Sequence, residues 1–325
     1  MIYLVRRLGF YALAVWASLT FAFVLPRLMP GDPASAIFAR FRGKLRPEAM
    51  QALRAALGFT GGSRWHQYGS YLAHLARGDL GLSISHFPAP VADVIGSALG
   101  WTLLMGGVAV TFSFALGTVL GVLAAGRRSR WLDALLPPVL SFVGAFPYFW
   151  LAMLALFVGG FSLRWFPLGH AYAEGITPGV SVAFLASVVS HAVLPAATVV
   201  LATIGGWTLA MRNTTLRTLA DDHVLFARAK GLSPRRVLFR YAARGALLPN
   251  VAAFGLELGF VLSGSILTEI VFSYPGTGSL LVGAVQSLDY PLLQGLFLVL
   301  TLSVLGANWL VDLVSTALDP RLRRS

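Results

Sequence analysis

The sequence predicts an all-α polytopic membrane protein with six transmembrane helices, and three observations carry that prediction. Of the 325 residues, 57% are hydrophobic and 12% charged, with a mean hydropathy of +0.74, which leaves too few polar side chains to cover a water-soluble globule. Apolar stretches recur at about the 20 residues a helix needs to cross hydrocarbon while satisfying its own backbone. The basic residues gather in alternate loops, as retention of cations on the cytoplasmic side requires. The net charge of +12 is therefore read as topology and not as a nucleic-acid surface. With no cysteine, the chain has no disulfide framework, thiolate metal site or lipidated cysteine.

Residues 1–28 comprise a short cytoplasmic end with Arg6 and Arg7, then a first uncharged stretch, Leu8–Pro26. That run exceeds the roughly 7–15 apolar residues of a signal-peptide core, so a span is favoured over a cleaved leader. Residues 29–100 form an outer loop long enough to fold as a cap. It contains turn signals at Pro30-Gly31-Asp32-Pro33, Gly61-Gly62 and Gly78-Asp79, and a short helix from Pro47 to Leu57 stopped by Gly58. The remainder, 101–325, is the core. Its second stretch, Thr102–Ala125, and third, Ala134–Gly160, are uncharged, and Pro137, Pro138 and Pro147 should kink the third. The fourth, Ser181–Met211, should be interrupted at His191 and Pro195. The fifth, Ala246–Phe272, contains Glu257 and Glu269, and the sixth, Pro291–Val311, ends at Asp312.

Placing both termini in the cytoplasm puts Arg6 and Arg7 inside, together with Arg127, Arg128 and Arg130, the cluster between Arg212 and Arg244, and Arg321, Arg323 and Arg324. Most of the remaining lysines and arginines fall in the long outer loop, which translocates largely regardless of charge.

The inner segment 212–250 has helix punctuation of its own. Asp221 and Asp222 can cap a short helix filled by Val224 to Lys230, and Gly231 can take the left-handed conformation that ends it. Ser233-Pro234 then starts a second, arginine-rich helix suited to lying along the inner membrane face before Pro249.

These residues carry a resemblance. The run Asp222-His-Val-Leu-Phe-Ala-Arg-Ala-Lys-Gly-Leu-Ser-Pro-Arg-Arg-Val-Leu resembles the cytoplasmic coupling loop of the dipeptide, oligopeptide and nickel permease family of ATP-binding-cassette importers. So do Leu28-Met-Pro-Gly-Asp-Pro33, Arg77-Gly-Asp-Leu-Gly-Leu-Ser83, Phe272-Ser-Tyr-Pro-Gly-Thr-Gly278 and Leu318-Asp-Pro-Arg321, in the family's order. The resemblance spans essentially the whole chain. It implies the type I importer permease fold in a bacterial inner membrane, with a coupling helix between spans four and five. It also implies a second homologous permease subunit, two cytoplasmic ATPases carrying ATP and Mg, and an extracytoplasmic binding protein. The coupling residues it implies are Asp222, Ala227, Arg228, Ala229, Lys230, Gly231 and Leu232. Leu225 and Phe226 depart from the general pattern, which has Glu and Ala there.

The chain itself holds no phosphate-cradling loop, since its two lysines, Lys44 and Lys230, lie outside any Gly-x-x-x-x-Gly-Lys context, and no catalytic motif appears. It is read as a non-enzyme without bound cofactor or metal. His191 is read as a packed or interfacial side chain. Carboxylates inside a span are costly, so Glu257 and Glu269 either line a solute path, meeting a cationic cargo, or serve as structural acceptors. On one helix they project about 120° apart, and at most one can sit deep in a pathway. The glycine pairs Gly117/Gly121 and Gly255/Gly259 permit close helix packing. The rival of another class is a secondary transporter using one of these glutamates as a proton carrier. Within the resembled family the cargo stays open among peptides, oligosaccharides and nickel.

Overall fold

The computed structural model describes residues 2–28, 63–126, 130–264 and 266–318. The readings on Lys44, on the Pro47–Leu57 helix, on Arg127 and Arg128, and on the motif beyond Leu318 lie outside them. Among the described residues the chain is helical, with one isolated bridge between Leu82 and Pro90. The helices are α1 (Ile2–Leu28), α2 (Arg64–Ala76), α3 (Val91–Gly126), α4 (Arg130–Gly144), α5 (Tyr148–Ser162) and α6 (Val182–Thr218), followed by α7 (Asp222–Ala229), α8 (234–264), α9 (Ile266–Val271), α10 (Thr277–Gln286) and α11 (Tyr290–Leu318). Wider π-type turns interrupt α3, α5 and α8 at Leu103–Gly107, Leu156–Ser162 and Val237–Ala242.

Four helices are long and apolar enough to cross a bilayer: Gly9–Leu28, Val91–Gly126, Val182–Thr218 and Tyr290–Val311. The pair Ala134–Gly144 and Tyr148–Ser162, bent by 83°, makes a fifth if taken as one span. The fifth expected stretch is helical over the 22 residues Ala243–Gly264, the length of a span, but is not among those four, so the count of six rests on the sequence. Large apolar side chains point outward, with Phe10 67%, Phe21 69% and Phe161 65% exposed, while Ser113, Thr198, Thr208 and Thr215 are buried. Lipid selects this inversion of a soluble bundle: acyl tails solvate Phe and Leu as well as a core would, whereas small and hydroxyl residues let helices approach closely.

Prolines account for most differences from expectation. The fourth stretch is not interrupted: α6 runs unbroken for 37 residues with Pro195 inside it. Side chains serve its backbone near that point, Thr198 Oγ1 donating to the Pro195 carbonyl at 2.7 Å and the His191 ring lying 2.7 Å from the Ser187 carbonyl. The third stretch is broken and not merely kinked, at Ala145–Pro147, while Pro137 and Pro138 sit within α4. The second stretch begins at Val91, eleven residues before Thr102.

The chain divides into two units, one of 1–101 with 275–305 and the other of 102–274 with 306–325. The first has an apolar core of Val91, Val94, Ile95, Ala284, Leu292, Leu293 and Leu296. Beside it the fully buried Asp289 accepts from Ser83 Oγ at 2.6 Å, Ser85 Oγ at 2.7 Å and the Ser85 amide at 2.8 Å. Its other oxygen accepts from the Leu292 amide at 3.1 Å, capping α11. One carboxylate thus ties the 83–85 turn to the start of the last helix. After α2, Asp79 accepts from the Gly81 amide at 2.9 Å and pairs with the His74 ring at 3.0 Å. The backbone bond foremost, and then the histidine, hold its carboxyl below the ordinary value of 3.8. A depressed folded value gives stabilisation that is complete above the unfolded value and lost as pH falls through the folded one. Asp79→Asn should therefore flatten the acid limb of a melting-temperature profile below about pH 4. The change should be small, about 0.5 kcal/mol, because both side chains are more than half exposed; identical limbs in both proteins would refute it.

In the second unit α3 packs most extensively on α6. At Gly117 a Cβ would lie 2.6 Å from Trp207 Cβ, and at Gly121 it would lie 2.6 Å from the Thr208 carbonyl oxygen, so the expected glycine face is the helix contact itself. Gly255 likewise abuts Val311. Phe114 stacks on Phe254 at 4.4 Å. The buried Asn250 amide donates to Thr214 Oγ1 at 3.0 Å and to the Ala246 carbonyl at 2.8 Å, joining α6 to α8 at the root of the inner segment.

Candidate functional site

Two features of the second unit concern function. The first is the segment 212–250. α6 continues to Thr218, and after a tight turn Asp221 stands in extended conformation at the start of α7, its carbonyl receiving the Val224 and Leu225 amides. Its side chain makes no capping bond, although Asp222 supplies a carboxylate in the first turn. At the other end Gly231 has φ +76°, its amide donates to the Arg228 carbonyl at 2.9 Å, and the Leu232 amide reaches the Ala227 carbonyl at 3.4 Å. These two bonds make a Schellman termination, which a glycine in the left-handed region supports without strain.

Val224 and Ala227 face inward and pack with Val237, Leu219, Leu232 and Tyr241. Ala227 is 2% exposed, and this small residue seats α7 on its own chain. Outward stand Asp222, Arg228, Ala229, Lys230 and Gly231, together with Leu225 and Phe226. Lys230 Nζ lies 4.5 Å from the Phe226 ring centroid, a cation over an aromatic face. Leu225, Arg228, Leu232, Pro234 and Arg235 border a cavity of about 680 Å³ beside the helix. The second, arginine-rich helix is not a separate piece before Pro249: it continues through Pro249 as α8 to residue 264. Its surface arginines 235, 236, 240 and 244 accordingly occupy the extension of a long helix.

The second feature concerns the two glutamates, Glu257 within Ala243–Gly264 and Glu269 within Ile266–Val271. Glu269 is fully buried and accepts from Thr102 Oγ1 at 2.8 Å, the geometry of a structural acceptor. Glu257 is half-buried and lines two cavities of about 410 and 570 Å³. Among the described residues no three histidine, aspartate or glutamate side chains form a cluster that could hold a metal ion.

Sequence reasoning missed several contributors. Leu225 and Phe226, departures from the resembled pattern, form an apolar pair that the structure leaves exposed on a short helix. Asn250 is polar within an apolar run, a detectable sign of an interhelical bond. Asp289 ahead of a long apolar stretch fits an N-cap, but nothing in the sequence pairs it with Ser83 and Ser85.

A bundle with apolar side chains turned outward, small residues at its helix contacts, a carboxylate lining an open cavity and a short helix presented on a polar loop defines a multi-pass membrane subunit of solute-transport type. The chain belongs to the family described as binding-protein-dependent transport system inner membrane component, whose model matches residues 117–324. It is 32% identical over 341 residues to the di/tripeptide transport system permease protein of Pseudomonas aeruginosa, covering 99% of this chain and 98% of that one. It is 35% identical over 327 residues to the dipeptide transport system permease protein of Escherichia coli K12, covering 94% and 93%. With the glutathione transport system permease protein of another Escherichia coli strain it shares 32% identity over 325 residues, covering 99% and 98%.

Proposed function

We propose that this chain forms half of the translocation pathway of an ATP-binding-cassette importer for di- or oligopeptides. A second, homologous permease subunit would supply the other half. An extracytoplasmic binding protein delivers the solute, and two cytoplasmic ATPases hold the ATP and Mg that drive alternation. Both termini, and the 212–250 segment with them, face the cytoplasm. The peptide cargo follows from relatives whose names state peptide transport over nearly their whole length; oligosaccharide or nickel cargo has no comparable support.

The observation that carries the coupling role is the construction of α7. Its inward face packs on Val237 and Tyr241 of α8 and on Leu219, the residue that caps α6, its exit is fixed by the Schellman turn, and its outward face offers Leu225 and Phe226 ringed by Arg228 and Lys230. A short helix rigidly mounted on two long ones transmits a push to both. Exposed apolar anchors flanked by cations suit a partner cleft with acidic edges.

Two substitutions test it. Arg228→Glu reverses the charge beside the anchors, and Gly231→Pro demands φ near −65° where the chain has +76°. Each should lower both co-purification with the ATPase subunits and ATP-dependent uptake by about tenfold or more, the scale of a lost charged contact. Undiminished binding and uptake would refute the contact. A proton ionophore that halts uptake while ATP is maintained would instead establish a proton-coupled carrier.

A further inference from the structure

The two cavities at Glu257 share one wall, made of Gly144, Ala145, Ala202, Thr203 and Glu257. From it the first extends toward Val199 and Thr268, and the second toward Leu209 and Ala210. Together they follow α6 from Val199 to Ala210, about 16 Å at 1.5 Å per residue, in the direction of the 212–250 segment. Both volumes fall in the range of sites that hold small molecules.

Glu257 is the single ionisable carboxylate among the residues lining either cavity, and no lysine, arginine or histidine joins it there. Among the described residues nothing hydrogen-bonds to it or pairs with it. A carboxylate kept in a span at an energetic cost, aimed into a cavity and without a protein cation, is a site for water or for a passing positive charge. The rest of the shared wall is glycine, alanine and one threonine hydroxyl, which discriminates little between side chains.

Resting on the peptide-permease reading, we propose that Glu257 holds the ammonium group of a peptide-like solute as it passes between the two chambers. The amino terminus is the one cation common to peptides of any sequence. A lone carboxylate on an otherwise permissive wall recognises that feature and ignores the variable ones. Thr203, in both cavities, can accept a second ammonium proton. Glu269 takes no part, being fully buried against Thr102.

The chain contains no cysteine, so Glu257→Cys introduces a thiol whose charge can be chosen afterwards. The test uses the complete importer in liposomes, with partner cysteines replaced, and measures ATP-driven uptake of labelled dialanine. Glu257→Gln and Glu257→Cys should each lower uptake by about tenfold or more, with melting temperature and ATPase co-purification at wild-type levels. Glu257→Asp should retain a substantial part of the uptake. Treating the cysteine variant with a sulfonatoethyl thiosulfonate, which attaches an anion, should restore uptake, and a trimethylammonium analogue should not. Wild-type uptake in the glutamine variant, or equal effects of the two reagents, overturns this proposal and leaves the peptide-permease reading standing. If the unaltered importer takes up neither dialanine nor longer alanine peptides, that reading falls and this one with it.

Discussion

Replacing Asp289 with leucine should lower the melting temperature by about 10 °C. The carboxylate is fully buried and receives four donors, from Ser83, both groups of Ser85, and the Leu292 amide. Leucine has the same number and branching of side-chain heavy atoms but is bulkier and accepts nothing, so the donors lose their charged acceptor while remaining out of water. Removing one member of a buried charged network costs about 3–5 kcal/mol, and each kcal/mol moves the midpoint of a unit of this size by about 2–4 °C. Asp289→Asn should cost less, since its carbonyl oxygen can keep part of the set. The change can be read by tryptophan fluorescence on heating and by new protease cleavage near residues 83–85. A leucine variant that melts with the wild type would show that the turn and α11 are held by their apolar core alone.

Gly121→Leu should be comparably damaging, by the opposite route. A Cβ at that position would meet the Thr208 carbonyl oxygen at 2.6 Å, Met211 Cβ at 2.8 Å and the Arg212 amide nitrogen at 2.9 Å. Two of these are backbone atoms that cannot rotate away, so α3 and α6 must separate. Overpacking of even a few methylenes costs about 1–3 kcal/mol, and here it also displaces Met211 and Arg212, where α6 enters the 212–250 segment. Folded yield in the membrane and peptide uptake should fall together, with Gly121→Ala intermediate. Gly206→Ala is the control: nothing lies within 4 Å of its Cβ, and alanine is the better helix former by about 1 kcal/mol. If the leucine variant assembles and transports like the wild type, the glycine face is not a contact.

The sequence made legible whatever depends on a local pattern. Apolar runs of span length announce membrane helices because no shorter run satisfies its backbone in lipid. Gly117 and Gly121 revealed a close contact through their spacing, and Gly231 its left-handed turn through its position after a short helix. Three prolines mark where local reading fails. Pro147 breaks its stretch by 83°, whereas Pro195 and Pro249 ride inside continuous helices. The residue is the same, and the local sequence does not separate the two outcomes. The glutamates show the same boundary: their spacing excluded a shared deep position, but only the fold assigns Glu269 to Thr102 and Glu257 to a cavity. Asp289 was illegible because its partners lie more than 200 positions away in the chain.

The break between α4 and α5 bears on what surrounds this subunit. At Ala145 to Pro147 the regular ladder lapses, and these three residues line the same cavity as Glu257. Bare peptide groups are not tolerated against acyl chains. That flank must therefore be shielded by another polypeptide or bathed by water reaching far below the headgroups, and a solitary copy in a bilayer would carry a wet seam through its hydrocarbon.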